Sequence, residues 1–317
     1  MLHLRLIVPP ELVAQVMETL DRAPEVTNLW HLAGVAVRPP GDLVSCDVAK
    51  EDATTLVEEL RRLGVEERGS IAAEHVDASI SRVARDAELA AEGSPADAVI
   101  WEEVESRVEE SATLSISFLV LMTIATMIAA VGLITDSVVL IIGAMVVGPE
   151  YGPLAGICVA LVEGRTDLAR RSLRAIYVGF PIGIVSAALL TGLLRLLGVA
   201  PDILVAAEHE LALLVSDPNW FSVIVAVLAG TVGMLALVGA KSGVLVGVLI
   251  SVTTIPAAAN VGVATVYGSW ESALGAAAQL AINLLAIVVS GVLVLWIIKR
   301  ARLRRSLRHN SHTPGTG

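Results

Sequence analysis

The stretch Ser137-Val138-Val139-Leu140-Ile141-Ile142-Gly143-Ala144-Met145-Val146-Val147-Gly148-Pro149-Glu150-Tyr151-Gly152-Pro153 decides the fold. It opens as an unbroken apolar run. It then places two prolines, two glycines and a carboxylate within positions 148–153. Proline removes a backbone donor and clashes with the preceding turn, so a helix must break or kink here. The apolar character resumes and carries on to 161. A hydrocarbon core about 30 Å thick needs roughly 20 such residues, so 137–161 reads as one membrane span with a break at its middle. Irregular backbone at that depth is tolerated only where protein buries it or a watery cavity lines it.

Working outward, five more apolar stretches have the length of a span: 113–133, 173–198, 220–239, 242–266 and 273–298. The distribution of basic residues orients them. With the N-terminus in the cytoplasm, the inner side receives Arg165, Arg170, Arg171 and Arg174, then Lys241, then Lys299, Arg300, Arg302, Arg304, Arg305 and Arg308. Only Arg195 falls on the outer side. Trp220, Tyr267 and Trp270 fall at the outer interface and Trp296 at the inner one, where amphipathic rings anchor. Both termini are thus expected in the cytoplasm, with the chain in the inner membrane of a cell. The segment 202–217 is expected to lie along the outer surface. Its Glu208-His209-Glu210 run is not a metal site, because adjacent residues of a helix point apart.

The fifth span repeats the device of the second. It reads Ser242-Gly243-Val244-Leu245-Val246-Gly247, then Thr253-Thr254-Ile255-Pro256, then Asn260. Each broken span is the middle member of a triplet, and an odd number of spans per half inverts the second half. The expectation is a six-span α-helical membrane domain built as a 3+3 inverted repeat. Paired Pro-interrupted helices in such a repeat point to a binding site at the midplane.

The segment Ile142 to Gly156, with Gly164 and the basic loop after it, resembles a bacterial and archaeal family of uncharacterised hydrophobic-domain membrane proteins, known as a domain of unknown function. The family pattern is Gly-Ala-Met, a short spacer, then Pro-x-x-Gly-Pro. Pro149, Gly152 and Pro153 match it. Many members carry Ser at the position of Gly148 and an apolar residue at that of Glu150. The resemblance covers about 113–265. It implies a polytopic membrane protein and supplies no substrate.

The first third of the chain differs in kind. Residues 1–112 hold ten Lys/Arg against 23 Asp/Glu, whereas 113–317 hold 12 against nine. Over the whole chain 55% of residues are hydrophobic and 17% charged, the mean hydropathy is +0.75 and the net charge is −10. Soluble proteins carry roughly 25% charge, so a wholly soluble chain is excluded, and the acidic balance argues against a nucleic-acid partner. In residues 1–78, Leu2, Leu4, Leu6 and Val8 alternate as a strand. Leu12, Val13, Val16, Met17 and Leu20 have helical spacing. Val26–Val37 is extended, with Leu29, Ala33, Val35 and Val37 on one parity, and 39–42 is a turn. Val44, Cys46 and Val48 alternate. Residues 51–63 are helical with Gly64 as the C-cap, and 69–76 is a last strand. The order β-α-β-β-α-β is the ferredoxin-like arrangement, an α+β domain that either binds a small ligand or is a plain soluble module. Residues 79–112 are an acidic linker and stalk. There Ser94 and Pro95 start a helix whose stripe is Trp101, Val104 and Val108, either a partner-facing stalk or a solvated lead-in. The spans fill 113–298, and 299–317 is a basic cytoplasmic tail that anchors topology and touches anionic lipid.

Chemistry concentrates at the breaks. An ionised carboxylate at the bilayer centre costs several kcal/mol, beginning at about 2.5. Glu150 can therefore carry a proton or bind a cation. Gly148, Pro149, Tyr151, Gly152 and Pro153 surround it in sequence. Thr253, Thr254, Pro256 and Asn260 on the fifth span, with Gln279 and Asn283 on the sixth, can add neutral oxygens and amides. The competing reading is structural: Glu150 caps the second half-helix, and Gln279 and Asn283 are interhelical hydrogen-bond glue. No nucleotide loop, zinc pair or nucleophile elbow occurs, so no enzyme activity, cofactor or metal is expected. The two cysteines, Cys46 and Cys158, have no catalytic partner. The leading expectation is a transporter or channel-like permease for a small solute or ion, homo-oligomeric and embedded in the lipid bilayer, regulated by its soluble domain. The alternative is a non-transporting membrane sensor or scaffold whose soluble domain binds a cytosolic ligand or partner.

Overall fold

The computed structural model describes residues 1–76, 81–90, 101–201, 220–239, 247–248 and 253–310, with side chains left undescribed at 75, 88–90, 101–103 and 302–310. The linker start at Ser94 and Pro95, the surface segment 202–217, Lys241, most of the first half of the fifth span and the end of the tail lie outside the described residues. The chain divides into two compact units, Met1–Glu103 and Val104–Gly317.

In the first unit the elements run β1 (Leu2–Val8), α1 (Val13–Arg22), β2 (Val26–Val37), β3 (Pro40–Val48), α2 (Lys50–Arg62), α3 (Val65–Arg68), β4 (Ser70–His75) and α4 (Arg82–Ala90). The strands form one antiparallel sheet in the order β2-β3-β1-β4, with Leu4 opposite Cys46 and Ala73. This is the strand order that two interleaved β-α-β units produce. Alternation sets the faces: Leu2, Leu4, Leu6, Val8, Val44, Cys46 and Val48 are buried with Val16 and Leu20 of α1 and Leu56 and Leu60 of α2. Gly64 takes the left-handed conformation just past α2, at φ 84°, which glycine adopts without steric cost.

Two expectations need correction here. Positions 40–42 belong to β3 and not to a turn. The parity read into β2 also fails: Val35 and Val37 are exposed. The β2–β3 register shifts between Thr27 and Trp30 and again between Leu32 and Ala36. A bulge of that kind moves later side chains to the other face.

Burial pushes the Cys46 thiol up to about 12, so it stays protonated and unreactive. Asp42 accepts from the Gly34 N–H at 2.9 Å and contacts His31 Nε2 at 2.7 Å. The backbone bond first, then His31, holds its carboxyl below the ordinary value of 3.8. A lowered folded value means stability that is present above 3.8 and is lost as pH falls from there through the folded value. The stability gap between the native chain and Asp42→Asn is therefore expected to be full near neutrality and to close on acidification below 3.8. Protease resistance of the first unit in the full-length protein, measured against pH, checks this.

The second unit begins within α5 (Trp101–Ser111) and continues α6 (Ile116–Ile134), α7 (Val138–Val147), α8 (Tyr151–Glu163), α9 (Thr166–Leu196), α10 (Trp220–Val238), α11 (Thr254–Val266) and α12 (Trp270–Asn310). Among the described residues, α6, α9, α10 and the Trp270–Ala301 part of α12 are long and apolar enough to cross a membrane. The helices α7 and α8 pass the same test together, bent by 48° at the break, which makes five. The fifth expected span, 242–266, is represented among the described residues mainly by α11, which is shorter.

One helix length recurs along the chain. α8 and α11 each have 13 residues and start 103 apart. Small residues allow the helices to approach closely. A Cβ added at Gly183 of α9 would lie 2.8 Å from Thr126 of α6, and one at Gly230 of α10 would lie 2.9 Å from Ile287 of α12. Arg195, the basic residue expected on the opposite side from the others, has a local role. It donates to the Val266 carbonyl at 2.8 Å and stacks on Tyr267, neutralising the C-terminal end of α11.

Candidate functional site

The break between α7 and α8 follows from three residues. Gly148 precedes a proline and is extended, at ψ 127°, as that position requires. Pro149 cannot continue the ladder. Glu150 is the first residue before α8. Pro153 does not interrupt a helix but stands at the start of one. It stands third in α8, and Pro256 stands third in α11. In a first turn the missing N–H would have had no intrahelical partner anyway. Each proline therefore begins a half-helix.

The two half-helix starts meet. Glu150 is 3% exposed, and its Oε1 accepts from the Thr254 hydroxyl at 2.7 Å. Gly148 packs on the side chain of Ile255, where a Cβ would come within 2.8 Å. Beside this contact, Asn283 Nδ2 donates to the Thr253 hydroxyl oxygen at 3.1 Å, and Gln279 Nε2 donates to Asn283 Oδ1 at 2.9 Å. One polar chain thus runs from Glu150 through consecutive Thr254 and Thr253 to α12. The Glu150 Oε2 and Gln279 Oε1 atoms are buried and accept no hydrogen bond from the described residues.

Glu150 occupies the N-cap position of α8 yet makes no capping bond. The capping alternative fails for that reason: the side chain reaches across to α11 instead of folding back. The glue alternative describes Asn283 well, since it joins α12 to the start of α11.

The other expected site residues separate. Tyr151 is buried with its ring against Gly233 of α10, and its hydroxyl has no hydrogen-bond partner among the described residues. Asn260 contacts the Ser272 hydroxyl at 3.4 Å. It lies seven residues along α11 from Thr253, about 10 Å at 1.5 Å per residue, so it does not join the Glu150 chain.

Gly152 serves a different neighbour: a Cβ there would come 2.8 Å from the Ser111 Cβ, and Gly156 likewise faces Ala112. The end of the stalk helix α5 therefore sits on the half-helix that begins at the break. Val104, Val108 and Ala112 are buried along it. Arg165, just after α8, pairs with Glu109 of α5 and reaches Asp167 at 3.4 Å. The Glu109 carboxylate foremost raises the pKa of that guanidinium.

The sequence reading missed this pairing, because 56 residues separate its members. It also missed a network in the first unit: His3 Nδ1 lies 2.6 Å from Asp47 Oδ1, and His3 Nε2 lies 2.9 Å from Ser45 Oγ. That order resembles a hydrolytic triad, but Ser45 is fully buried and its hydroxyl is given to the Leu4 carbonyl. A cavity of about 460 Å³ lies elsewhere in the same unit, lined by Glu11, Gly34, Gly41, Asp42 and Arg68 among others.

With this geometry established, comparison with known proteins places the segment. Residues 145–289 match the family model described as a domain of unknown function (DUF389). The match starts and ends later than the sequence resemblance suggested, and it encloses every residue from Gly148 to Asn283 discussed above. The uncharacterized protein MJ0678 of Methanocaldococcus jannaschii is 25% identical over 204 residues, covering 62% of this chain and 58% of the relative. The chain thus spans less than two thirds of the relative it matches. No solved structure matches the chain.

The two glycines of the motif region have opposite surroundings, which gives a test. Gly152→Ala forces a Cβ against Ser111 backbone and is expected to cost about 1–3 kcal/mol. Gly143 has nothing within 4 Å among the described residues, so Gly143→Ala is expected to leave the melting temperature of detergent-purified protein unchanged or slightly raised. Equal melting of the two variants would contradict the packing described.

Proposed function

We propose that this chain is a transporter or channel-like permease for a small solute or ion, and not an enzyme. The observation that carries the reading is the buried Glu150–Thr254 contact between two half-helix starts. Broken helices that meet within a membrane unit are a recurrent way to build a solute site.

The same reading takes the chain as six spans in a 3+3 inverted repeat. The equal lengths of α8 and α11 support this, as does the matching place of Pro153 and Pro256. It sets the chain in the cytoplasmic membrane with both termini inside, in keeping with the positive-inside bias, and as a homo-oligomer. The soluble domain regulates the site through α5, whose end rests on α8 beside Gly152.

The cavity beside Asp42 and Arg68 favours a second role, in which the soluble domain senses a cytosolic ligand. Deletion of residues 1–93 is expected to remove ligand-dependent control while leaving basal flux.

The primary test is flux into reconstituted vesicles of protons, alkali cations and inorganic anions. Pro256→Leu disturbs the start of α11 and is expected to lower flux at least about tenfold, or about 1.4 kcal/mol in barrier. Glu150→Gln is expected to change flux and its pH dependence. Rates equal to the native protein for both variants would remove the mechanism.

A further inference from the structure

We propose that the meeting point of the α8 and α11 N-termini is an anion-binding site, that the Glu150 carboxylate fills it as a tethered anion, and that the solute is a small inorganic anion. This rests on the permease reading and names its substrate class.

Three observations combine. First, both helix ends converge on one side chain, since Glu150 precedes α8 and contacts the first residue of α11. Each half-helix has 13 residues, long enough to develop an end charge. Second, the carboxylate is buried, and one of its oxygens accepts no hydrogen bond. It belongs to the residue that precedes α8 and bonds the first side chain of α11, without the capping bond that would make it a permanent structural group. Third, Glu150 is the sole Asp, Glu, Lys, Arg or His in the apolar stretches 116–134, 138–162, 175–194, 220–239, 253–266 and 272–298. No basic side chain of these stretches balances it. Of the other titratable side chains, Tyr151 and Cys158 of α8 are buried there, and neither is a cation.

Charge arithmetic then decides the sign of the solute. A helix N-terminus carries about half a positive elementary charge. Two such ends sum to about one, which a single ionised carboxylate balances. A cation added to that arrangement would leave it about one charge positive inside a low-dielectric unit. Protonating or withdrawing the carboxylate leaves the two ends unbalanced, and an anion restores neutrality. The hydroxyl groups suit that occupant. Thr254 already donates to the carboxylate, and Thr253 accepts from Asn283 with its own proton not used in that bond. Both can turn donors toward an anion once Glu150 leaves.

The test is equilibrium binding of chloride, sulfate and phosphate, each alone, to the detergent-purified full-length chain, with sodium and potassium as counter-probes. The native protein is expected to bind at least one anion roughly tenfold more tightly at about pH 5 than at about pH 8. Glu150→Gln is expected to bind it tightly at both pH values. Three outcomes overturn the proposal: no anion binding to either protein, the same pH dependence in both, or binding of sodium or potassium that Glu150→Gln abolishes. If Glu150→Gln does not fold, absence of acid-strengthened binding in the native chain overturns it alone. Anion binding as expected without flux in vesicles would sink the permease reading and keep the site. Cation flux without anion binding would do the reverse.

Discussion

The second unit depends on one constraint: a carboxylate buried among apolar helices must be compensated. Among the described residues, Thr254 is the side-chain donor to Glu150, and the apolar stretches around it carry no basic residue. Burial of an ionised group without compensation costs far more than one neutral hydrogen bond returns. What remains close by is backbone, the starts of α8 and α11. The break at Gly148-Pro149 therefore does more than bend a helix. It frees a helix end at the depth where the acid lies, and the second free end of α11 arrives from the other half of the unit.

Other features follow from keeping those ends together. Pro153 and Pro256 stand where a helix accepts proline, in the first turn, and so fix where each half-helix starts. Asn283 ties the start of α11 to α12, and Gly148 lets Ile255 approach. Gly152 and Gly156 admit the end of α5 onto α8, and Arg165 pins that contact from the far end through Glu109. A displacement of α5 would thus be felt along α8, whose first residues adjoin Glu150. In the repeat we propose, α8 and α11 are counterparts, and the acid is present in one copy only. Thr253 stands at the matching position of the other. That asymmetry gives the meeting point a single titratable group.

Much of this was legible in the sequence. Alternation in Leu2–Val8 and Val44–Val48 located two central strands, and the apolar stretches located four full-length helices and the broken pair. The dense run of glycine and proline around Glu150 located the break, because few residues at that depth permit irregular backbone. The direction of Glu150 was not legible. Whether a residue at an N-cap folds back or reaches across depends on which helix lies opposite, and composition does not encode that. Asn260 failed as a site residue for a related reason: one-dimensional proximity to Thr254 spans nearly two helical turns. β2 misled because bulges shift parity without altering the apolar count. The Arg165–Glu109 pair left no local signal, since its partners are distant in the chain.

The central claim is that Glu150 and Thr254 interact directly across the two half-helices, and a double-mutant cycle tests it most directly. Stability of native, Glu150→Gln, Thr254→Val and doubly substituted protein would be compared in one detergent near neutral pH. A coupling of about 1.5–3 kcal/mol, the range for a hydrogen bond to a charged group, is the predicted result. Additive effects within about 0.5 kcal/mol would mean that the two side chains do not meet, and would contradict the account.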